Sequence, residues 1–357
     1  MDSVTQAVLG AGVQAALLGR SQGRKALVYG ALLGTLPDMD VLISYADPVS
    51  AMTHHRGFSH SLFVLTALAG VLTWAIRARW PRAPYGAGRL FLTLWLVLIT
   101  HPLLDAFTSY GTQLLWPLAV TPTAWSTVFI IDPVFTLPLL AATLAVAVGG
   151  TQGRAGRLPA WALGFCGLYL AFTVAGKQLA EARVTAALRA QGVPVDAVFS
   201  TPMPLNALLW RVVVRSGGDY YEAASGWLDR QPPETLKQPL HADLGGAIAD
   251  SALLRRLQWF TDGWLRYDAV GQDLVVTDLR MGLPGFYTFR FVMGRRGSDW
   301  EPVLPYRYPS SRGGMRELRA IWQRIGSQQP PLPLAAWARQ QVAPQRPADE
   351  GPGTPVD

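Results

Sequence analysis

Residues 37–60 read PDMDVLISYADPVSAMTHHRGFSH and hold three of the five histidines of the chain. A later segment at residues 101–105, HPLLD, adds a fourth histidine and another acid. Acids are scarce around them, since the first 176 residues contain only six: Asp2, Asp38, Asp40, Asp47, Asp105 and Asp132. Ionisable groups inside membrane segments are costly and usually functional. We therefore interpret this set as the ligands of a metal site held by a membrane scaffold.

The composition indicates a membrane protein with a second, soluble domain. Half of the 357 residues are hydrophobic and 15% are charged, against about a quarter charged in soluble domains. Residues 1–192 carry 13 Lys and Arg against 7 Asp and Glu, whereas residues 193–357 carry 18 against 17. The positive charge belongs mostly to membrane loops. Because no basic face with interleaved aromatics accompanies it, we expect no nucleic-acid partner.

Six apolar stretches are candidate membrane helices: residues 4–19, 26–36, 61–76, 90–107, 128–149 and 158–176. The last four have about 16 to 22 residues, close to the ~20 that a bilayer needs, and the first two are weaker candidates that would be tilted or half-inserted. Gly10 and Gly12 belong to a match to the dinucleotide-binding fingerprint, but no strand precedes them. We interpret them as small residues that let helices pack closely.

Basic residues in the connections predict an orientation. They fall in the first, third and fifth connections: Arg20, Arg24, Lys25, Arg77, Arg79, Arg82, Arg89, Arg154 and Arg157. By the positive-inside rule these connections are cytoplasmic, so both termini and the C-terminal domain lie on the outer side of the membrane. This topology also places the scarce acids and histidines at one membrane face, the outer one. That convergence favours a single site.

The fold that we predict is an α-helical polytopic membrane domain of about six helices, followed by a smaller soluble, mostly-β (α+β) domain. The domains are residues 1–192 and 193–327, and a Pro- and Gln-rich, partly disordered tail follows at 328–357. In the soluble domain, residues 208–227 resemble a hairpin around a glycine turn. Residues 247–260 form an amphipathic helix, and 264–268, 272–278 and 286–293 are further strands.

The residue types indicate which metal and which chemistry the site supports. Imidazole and carboxylate together suit zinc, manganese or iron. His101 and Asp105 share one face of a helix because they are four residues apart. A metal lowers the pKa of a bound water towards ~7 and so supplies a nucleophile, and a surplus Asp or His acts as general base. Alternatively, a single Asp or His in such a segment only caps a helix.

Arg56 has two interpretations. Its guanidinium lies between the histidines and could hold a phosphate or carboxylate of a substrate through two parallel hydrogen bonds. Equally, it could anchor the chain to lipid headgroups.

Three motifs resemble the YdjM-like family of bacterial inner-membrane proteins, described as membrane-bound metal-dependent hydrolases. They are Pro37-Asp-Met-Asp40, His55-Arg-Gly-Phe-Ser-His60-Ser, and His101-Pro-Leu-Leu-Asp105 followed by Phe107-Thr-Ser-Tyr-Gly-Thr. The resemblance covers residues 1–180 and says nothing of the C-terminal domain. It implies metal binding by Asp38, Asp40, His55, His60, His101 and Asp105, with Asp132 as a seventh candidate and His54 as an alternative to His55.

We therefore predict a metal-dependent hydrolase that cleaves an ester or phosphoester of a lipid or envelope precursor at the outer face of the membrane. One or two divalent ions are expected, zinc being favoured over manganese or iron. The residues assigned to catalysis are Asp40, His60, Asp105 and Arg56. The expected partners are the lipid bilayer and this substrate, and the oligomeric state is left open.

Other classes fit less well. The metal-free lipid phosphatases need Lys-x6-Arg-Pro and Ser-Gly-His, and intramembrane metalloproteases need His-Glu-x-x-His; the chain has none of these motifs. The remaining alternative is a non-enzymatic binding or regulatory protein with a structural metal site, in which protein ligands fill every coordination position.

Overall fold

The computed structural model describes residues 1–311 and 313–340, and its N-terminal part is helical. The α-helices of this part are α1 (Ser3–Gln22), α2 (Lys25–Thr35), α3 (Pro48–His54), α4 (Leu62–Arg79), α5 (Ala87–Ala106), α6 (Pro133–Gly149) and α7 (Leu158–Ala190). Short 3-10 segments lie at Leu36–Leu42, Phe58–His60 and Ala155–Arg157.

Within the described residues, three helical segments are long and apolar enough to cross a bilayer. They are α4, α5 and Ala155–Ala190, which includes α7. Helix α6 is also apolar but has 17 residues. The prediction of six membrane helices is therefore wrong. It fails because α1 is enclosed by other helices rather than by lipid, and because α2 has only 11 residues.

Helix α1 is the centre of the helical region and packs against α2, α5, α6 and α7. Its contact with α2 is close because glycines face each other there. A Cβ added to Gly30 would overlap the carbonyl oxygen of Gly10, and one added to Gly34 would lie 2.7 Å from the carbonyl oxygen of Gln6. The interpretation of this small-residue segment as a packing surface agrees with the structure.

One end of the helical region collects the functional motifs, and we call it the site end. Helix α2 stops at Thr35, since a proline at position 37 disfavours α-helix in the residue before it, and a 3-10 segment carries the chain onward. Helix α4 starts after Ser61, whose hydroxyl accepts a hydrogen bond from the backbone of Val64. The end of α5 and the start of α6 lie here too, joined by residues 107–132.

The C-terminal part consists of two four-stranded antiparallel sheets. The first contains, in order, β1 (Ala197–Pro202), β2 (Leu209–Ser216), β3 (Asp219–Gly226) and β4 (Glu234–Pro239). The second contains β5 (Leu265–Val270), β6 (Asp273–Asp278), β7 (Arg290–Arg296) and β8 (Trp300–Arg307). Four helices accompany them: α8 (Ala242–Gly246), α9 (Ala252–Thr261), α10 (Met315–Gly326) and α11 (Leu334–Arg339).

The predicted β-rich character of this part agrees with the structure, and β2 and β3 form the hairpin expected around the glycine turn. Sequence patterns did not indicate β1, β4 or β8. The expected tail begins at Gln328, yet it includes α11, whose Trp337 is buried. Residues 341–357 of that tail lie outside the described residues.

Two apolar contacts fasten the C-terminal sheets to the helices. At the end of α7, Ala180, Val184 and Leu188 pack against Trp210 and other residues of the first sheet. At the site end, a second buried cluster joins both parts, with these members among others: Val49, Met52, Tyr110, Leu254, Leu257 and Phe260. The second contact places α9 directly against the loops that carry the histidines.

The α1–α2 contact makes a stability prediction. We expect Gly30→Ala to lower the free energy of unfolding by about 1–3 kcal/mol, because the new methyl group must displace backbone atoms of α1. Thermal unfolding of the detergent-purified protein, followed by tryptophan fluorescence, measures this. Gly70→Ala in α4 is the matched control, since a Cβ there meets no atom within 4 Å. Equal melting temperatures for the two variants would contradict the packing argument.

Candidate metal centre

Four side chains converge at the site end of the helices. His101 and Asp105 lie one turn apart in the last turns of α5, and both are buried. His60 ends the 3-10 turn before α4, and Asp38 lies in the 3-10 segment after α2. The side chains of His60 and Asp105 have no exposed area, whereas that of Asp38 is 23% exposed. Access to the group is therefore from the side of Asp38.

Five of the six distances among the four ligand atoms match the edges of a regular tetrahedron around a metal ion, and the sixth, between the oxygens of Asp38 and Asp105, is within 4.8 Å. His60 Nε2 lies 3.2 Å from His101 Nε2, 3.5 Å from Asp38 Oδ1 and 3.2 Å from Asp105 Oδ2. His101 Nε2 lies 3.3 Å from Asp38 Oδ1 and 3.5 Å from Asp105 Oδ2. The centre of a regular tetrahedron with such edges is about 2.0–2.1 Å from each corner, which is the distance from zinc to its nitrogen and oxygen ligands. The spacing therefore fits a single zinc ion.

Hydrogen bonds fix which nitrogen of each histidine faces the centre. His101 Nδ1 lies 2.6 Å from the carbonyl oxygen of Gly34 and must donate to it. His60 Nδ1 lies 2.9 Å from Ser59 Oγ, and that hydroxyl donates in turn to Asp40 Oδ2 at 2.6 Å. Both Nδ1 atoms thus carry a hydrogen, so in the neutral imidazole each Nε2 presents a lone pair to the centre. Such second partners orient the histidine ligands of metals.

Asp105 has one satisfied oxygen and one that is not. Its Oδ1 accepts a hydrogen bond from Gln6 Nε2 at 3.0 Å and contacts the amino group of Met1. Its Oδ2 has no hydrogen-bond partner among the described residues, although Arg56 Nε lies 3.0 Å away as an ion pair outside hydrogen-bond geometry. A buried carboxylate oxygen requires a compensating partner. Arg56 compensates part of its charge, and a cation among the four ligand atoms would occupy the lone pair that no hydrogen bond uses.

Asp40 and His55 form a second layer beside this centre. His55 Nδ1 lies 2.8 Å from Asp40 Oδ1, and Asp40 Oδ2 also accepts from the backbone N–H of Arg56 at 3.0 Å. Burial acts to raise the pKa of Asp40, but hydrogen bonds from His55 and Ser59 outweigh it and lower the pKa below its usual value. Asp38, Asp40 and His55 also lie within reach of one another. Because hydrogen bonds occupy both oxygens of Asp40, it fits an orienting role.

Arg56 is buried rather than available to solvent. Its Nη1 donates to Thr108 Oγ1 at 3.1 Å, and its guanidinium carbon lies 4.8 Å from the centre of the Tyr110 ring. Neither of the sequence interpretations, a grip on a substrate anion or an anchor to lipid headgroups, describes this position. The guanidinium lies instead beside Asp105, 3.0 Å from its Oδ2, where its positive charge stabilises the buried carboxylate.

The structure does not bring Asp132 to the centre. Asp132 caps α6, accepting hydrogen bonds from the backbone of Val134 and Phe135, and it accepts a further one from Tyr169 at 2.8 Å. It belongs to neither of the two groups of potential ligands. Helix capping, the alternative noted for single acids in the sequence, describes it.

Several contributors to the site escaped the sequence analysis. Ser59 lies within the histidine motif, but its residue type does not mark it as part of a metal site. Gln6 and the carbonyl group of Gly34 come from α1 and α2, whose segments were predicted to be membrane helices. The role of a backbone carbonyl cannot be recognised from residue types. The unusual feature of Gln6 is that it is a buried amide on an apolar helix.

The model of one protein family, described as YdjM inner membrane protein, matches residues 1–180. This range covers half of the chain and includes all four converging ligands. The chain belongs to the YdjM inner membrane protein family. Membership supports an inner-membrane location, and the resemblance noted from the three motifs is confirmed.

Two relatives agree with this assignment. The inner membrane protein YbcI of Escherichia coli (strain K12) is 39% identical over 94 residues, which are 26% of this chain and 53% of that protein. The uncharacterized protein YfhP of Bacillus subtilis (strain 168) is 27% identical over 135 residues, 36% of this chain and 40% of that protein. The chain thus spans about half or less of each relative. No solved structure matches it.

The geometry makes a prediction about metal content. His60→Ala and His101→Ala should each reduce the bound metal from about one ion per chain to a small fraction, because three ligands remain and a buried oxygen loses its partner. Elemental analysis of the purified protein measures this. His54→Ala is the matched control, since His54 neighbours the site but stacks, exposed, on Tyr45. A full metal content in the His60→Ala, His101→Ala double variant would exclude this centre.

Proposed function

We propose that this protein is a metal-dependent hydrolase of the inner membrane, which cleaves an ester or phosphoester of a lipid or envelope precursor. The observation that carries the proposal is the tetrahedron of His60, His101, Asp38 and Asp105, which is buried except on the side of Asp38. Zinc bound there would act as a Lewis acid and lower the pKa of water towards ~7. Manganese or iron would supply similar chemistry through the same ligands.

The protein's own residues supply positioning and a proton acceptor. Asp40 holds the hydrogen of His55 on Nδ1, which leaves His55 Nε2 free to accept a proton. The His55 side chain is 27% exposed, and its ring centre lies 5.9 Å from that of His60. This arrangement resembles the pairing of a carboxylate with a histidine base in hydrolases. It supports His55 as the general base and Asp40 as the residue that orients it.

A second function is favoured by one observation, namely that four protein atoms surround the centre. Structural zinc sites are closed in this way, whereas catalytic ones keep a position for water. On that reading the metal stabilises the site end, and the protein binds or regulates a partner at the membrane without hydrolysis. The exposure of Asp38 favours the enzyme, because the one accessible ligand lies where a substrate would approach.

We further propose that the site end and the C-terminal sheets face the outer side of the inner membrane. The opposite end of the helices carries the arginines: Arg77 and Arg79 end α4, and Arg24 Nη2 donates to the carbonyl of Val148 near the end of α6. Arginine-rich connections favour the cytoplasm. The C-terminal sheets dock on the other end.

The enzymatic proposal predicts a separation of metal binding from turnover. With ester and phosphoester substrates, His101→Ala should abolish both metal binding and hydrolysis. His55→Ala should keep the metal but lower kcat by about 10²–10⁴-fold, the usual contribution of a general base. His54→Ala should retain both. Unchanged turnover in His101→Ala would overturn the hydrolase. Metal-loaded wild type that cleaves none of these substrates would favour the structural alternative.

The orientation has its own test. Fused after residue 340, alkaline phosphatase should be active and green fluorescent protein dark, because the former folds outside the cytoplasm and the latter within it. The same fusions after Arg79, at the end of α4, should give the reverse pattern. A fluorescent C-terminal fusion would move the metal centre to the cytoplasmic face.

A further inference from the structure

A cleft of about 560 Å³ opens beside the contact between the site-end loops and α9, and we call it the interdomain cleft. One wall comes from the loops and includes Tyr45, His54, Phe58 and Trp116. The other wall is α9, which contributes Arg255, Arg256 and Trp259. The cleft is distinct from the metal centre, whose four ligands do not line it.

The charge of the cleft is positive. It combines two arginines with a histidine, and none of its twelve described lining residues is acidic. Arg256 uses Nε and Nη2 to bind Thr53, and Arg255 uses Nη1 to bind the carbonyls of Ala249 and Asp250. A guanidinium has five N–H donors, so both arginines keep donors beyond these contacts. Such groups match the oxygens of a phosphate.

The rim of the cleft is apolar and adjoins the start of α4, a candidate membrane span. Phe58, Trp116 and Leu118 are 45%, 39% and 56% exposed, and residues 108–127 contain no charged side chain. The backbone of Leu62, the first residue of α4, donates to the carbonyl of Leu114. The rim is thereby tied to the start of a membrane span, a level where aromatic side chains face lipid headgroups.

We propose that the interdomain cleft binds an anionic phospholipid. Arg255 and Arg256 contact its phosphate, while Phe58, Trp116 and Leu118 contact its glycerol and upper acyl region. A free anion would make no contact with the apolar rim. A neutral lipid would leave the positive charges of Arg255 and Arg256 uncompensated. The bound lipid therefore holds α9 and the C-terminal sheets against the membrane surface. This binding needs neither the metal nor hydrolysis.

The test uses the full-length protein in a neutral detergent, titrated with phosphatidylglycerol or with phosphatidylcholine of the same chains. Native mass spectrometry counts the bound lipid. Wild type should prefer phosphatidylglycerol. Arg255→Ala should weaken its binding about tenfold, and Arg255→Ala with Arg256→Ala about a hundredfold, as expected for charge-assisted hydrogen bonds. The single variant controls for misfolding. Arg255 is exposed, so its replacement should leave the fold intact, whereas the replacement of Arg256 also removes its hydrogen bond to Thr53.

The control pair is Arg316→Ala with Arg319→Ala, which removes two exposed arginines from α10 outside the cleft. It should bind phosphatidylglycerol like wild type. Equal affinity for the two lipids, or equal losses in the cleft and control pairs, would overturn the proposal. So would inorganic phosphate that displaces the lipid at equal concentration, since the occupant would then be a free anion. His101→Ala, which lacks the metal, should still bind the lipid, so this test stands apart from that of the hydrolase.

Discussion

Two imidazole nitrogens and two carboxylate oxygens repel one another at the end of α5 unless a cation lies among them. Because each Nδ1 donates to an outer partner, the neutral imidazoles direct their Nε2 lone pairs inward. The surrounding structure maintains this arrangement from several directions. Arg56 forms an ion pair with Asp105 Oδ2, and Gln6 donates a hydrogen bond to Asp105 Oδ1. Ser59 links His60 to Asp40 through its hydroxyl group. A divalent metal bound among these four atoms would supply a compensating positive charge.

The same constraint explains features of the fold that otherwise look irregular. A straight continuation of α2 would carry Asp38 along the helix, whereas the tighter 3-10 segment turns it towards His60 and His101. The residue Arg56 adopts a positive φ of 61°, which aims its backbone N–H at Asp40. Such a conformation is uncommon for a residue with a side chain. The close glycine contact brings α2 against α1, so that Gly34 can accept from His101.

Much of the site could be predicted from the sequence, because its ligands lie in short motifs with a fixed spacing. A spacing of four positions puts His101 and Asp105 on one helix face, and the scarcity of charged residues in an apolar segment indicated the other ligands. Asp132 was wrongly included among the candidate ligands. The sequence does not distinguish an acid that caps a helix from one that binds a metal, because the two roles differ only in the partners of the carboxylate. The number of spans was missed for a related reason. Apolar composition does not separate a helix enclosed by protein, as α1 is, from one enclosed by lipid.

The long helix α7 has a mechanical consequence. With 33 residues it is about 50 Å long, well beyond the ~30 Å of a hydrocarbon core. The side chains of Val184 and Leu188, in its last turns, pack against the first sheet. The length of α7 therefore determines how far the first sheet lies from the start of this helix. One residue more or less in it would displace the first sheet by about 1.5 Å along the helix and rotate it by about 100°, and this would disrupt the second apolar contact at the site end.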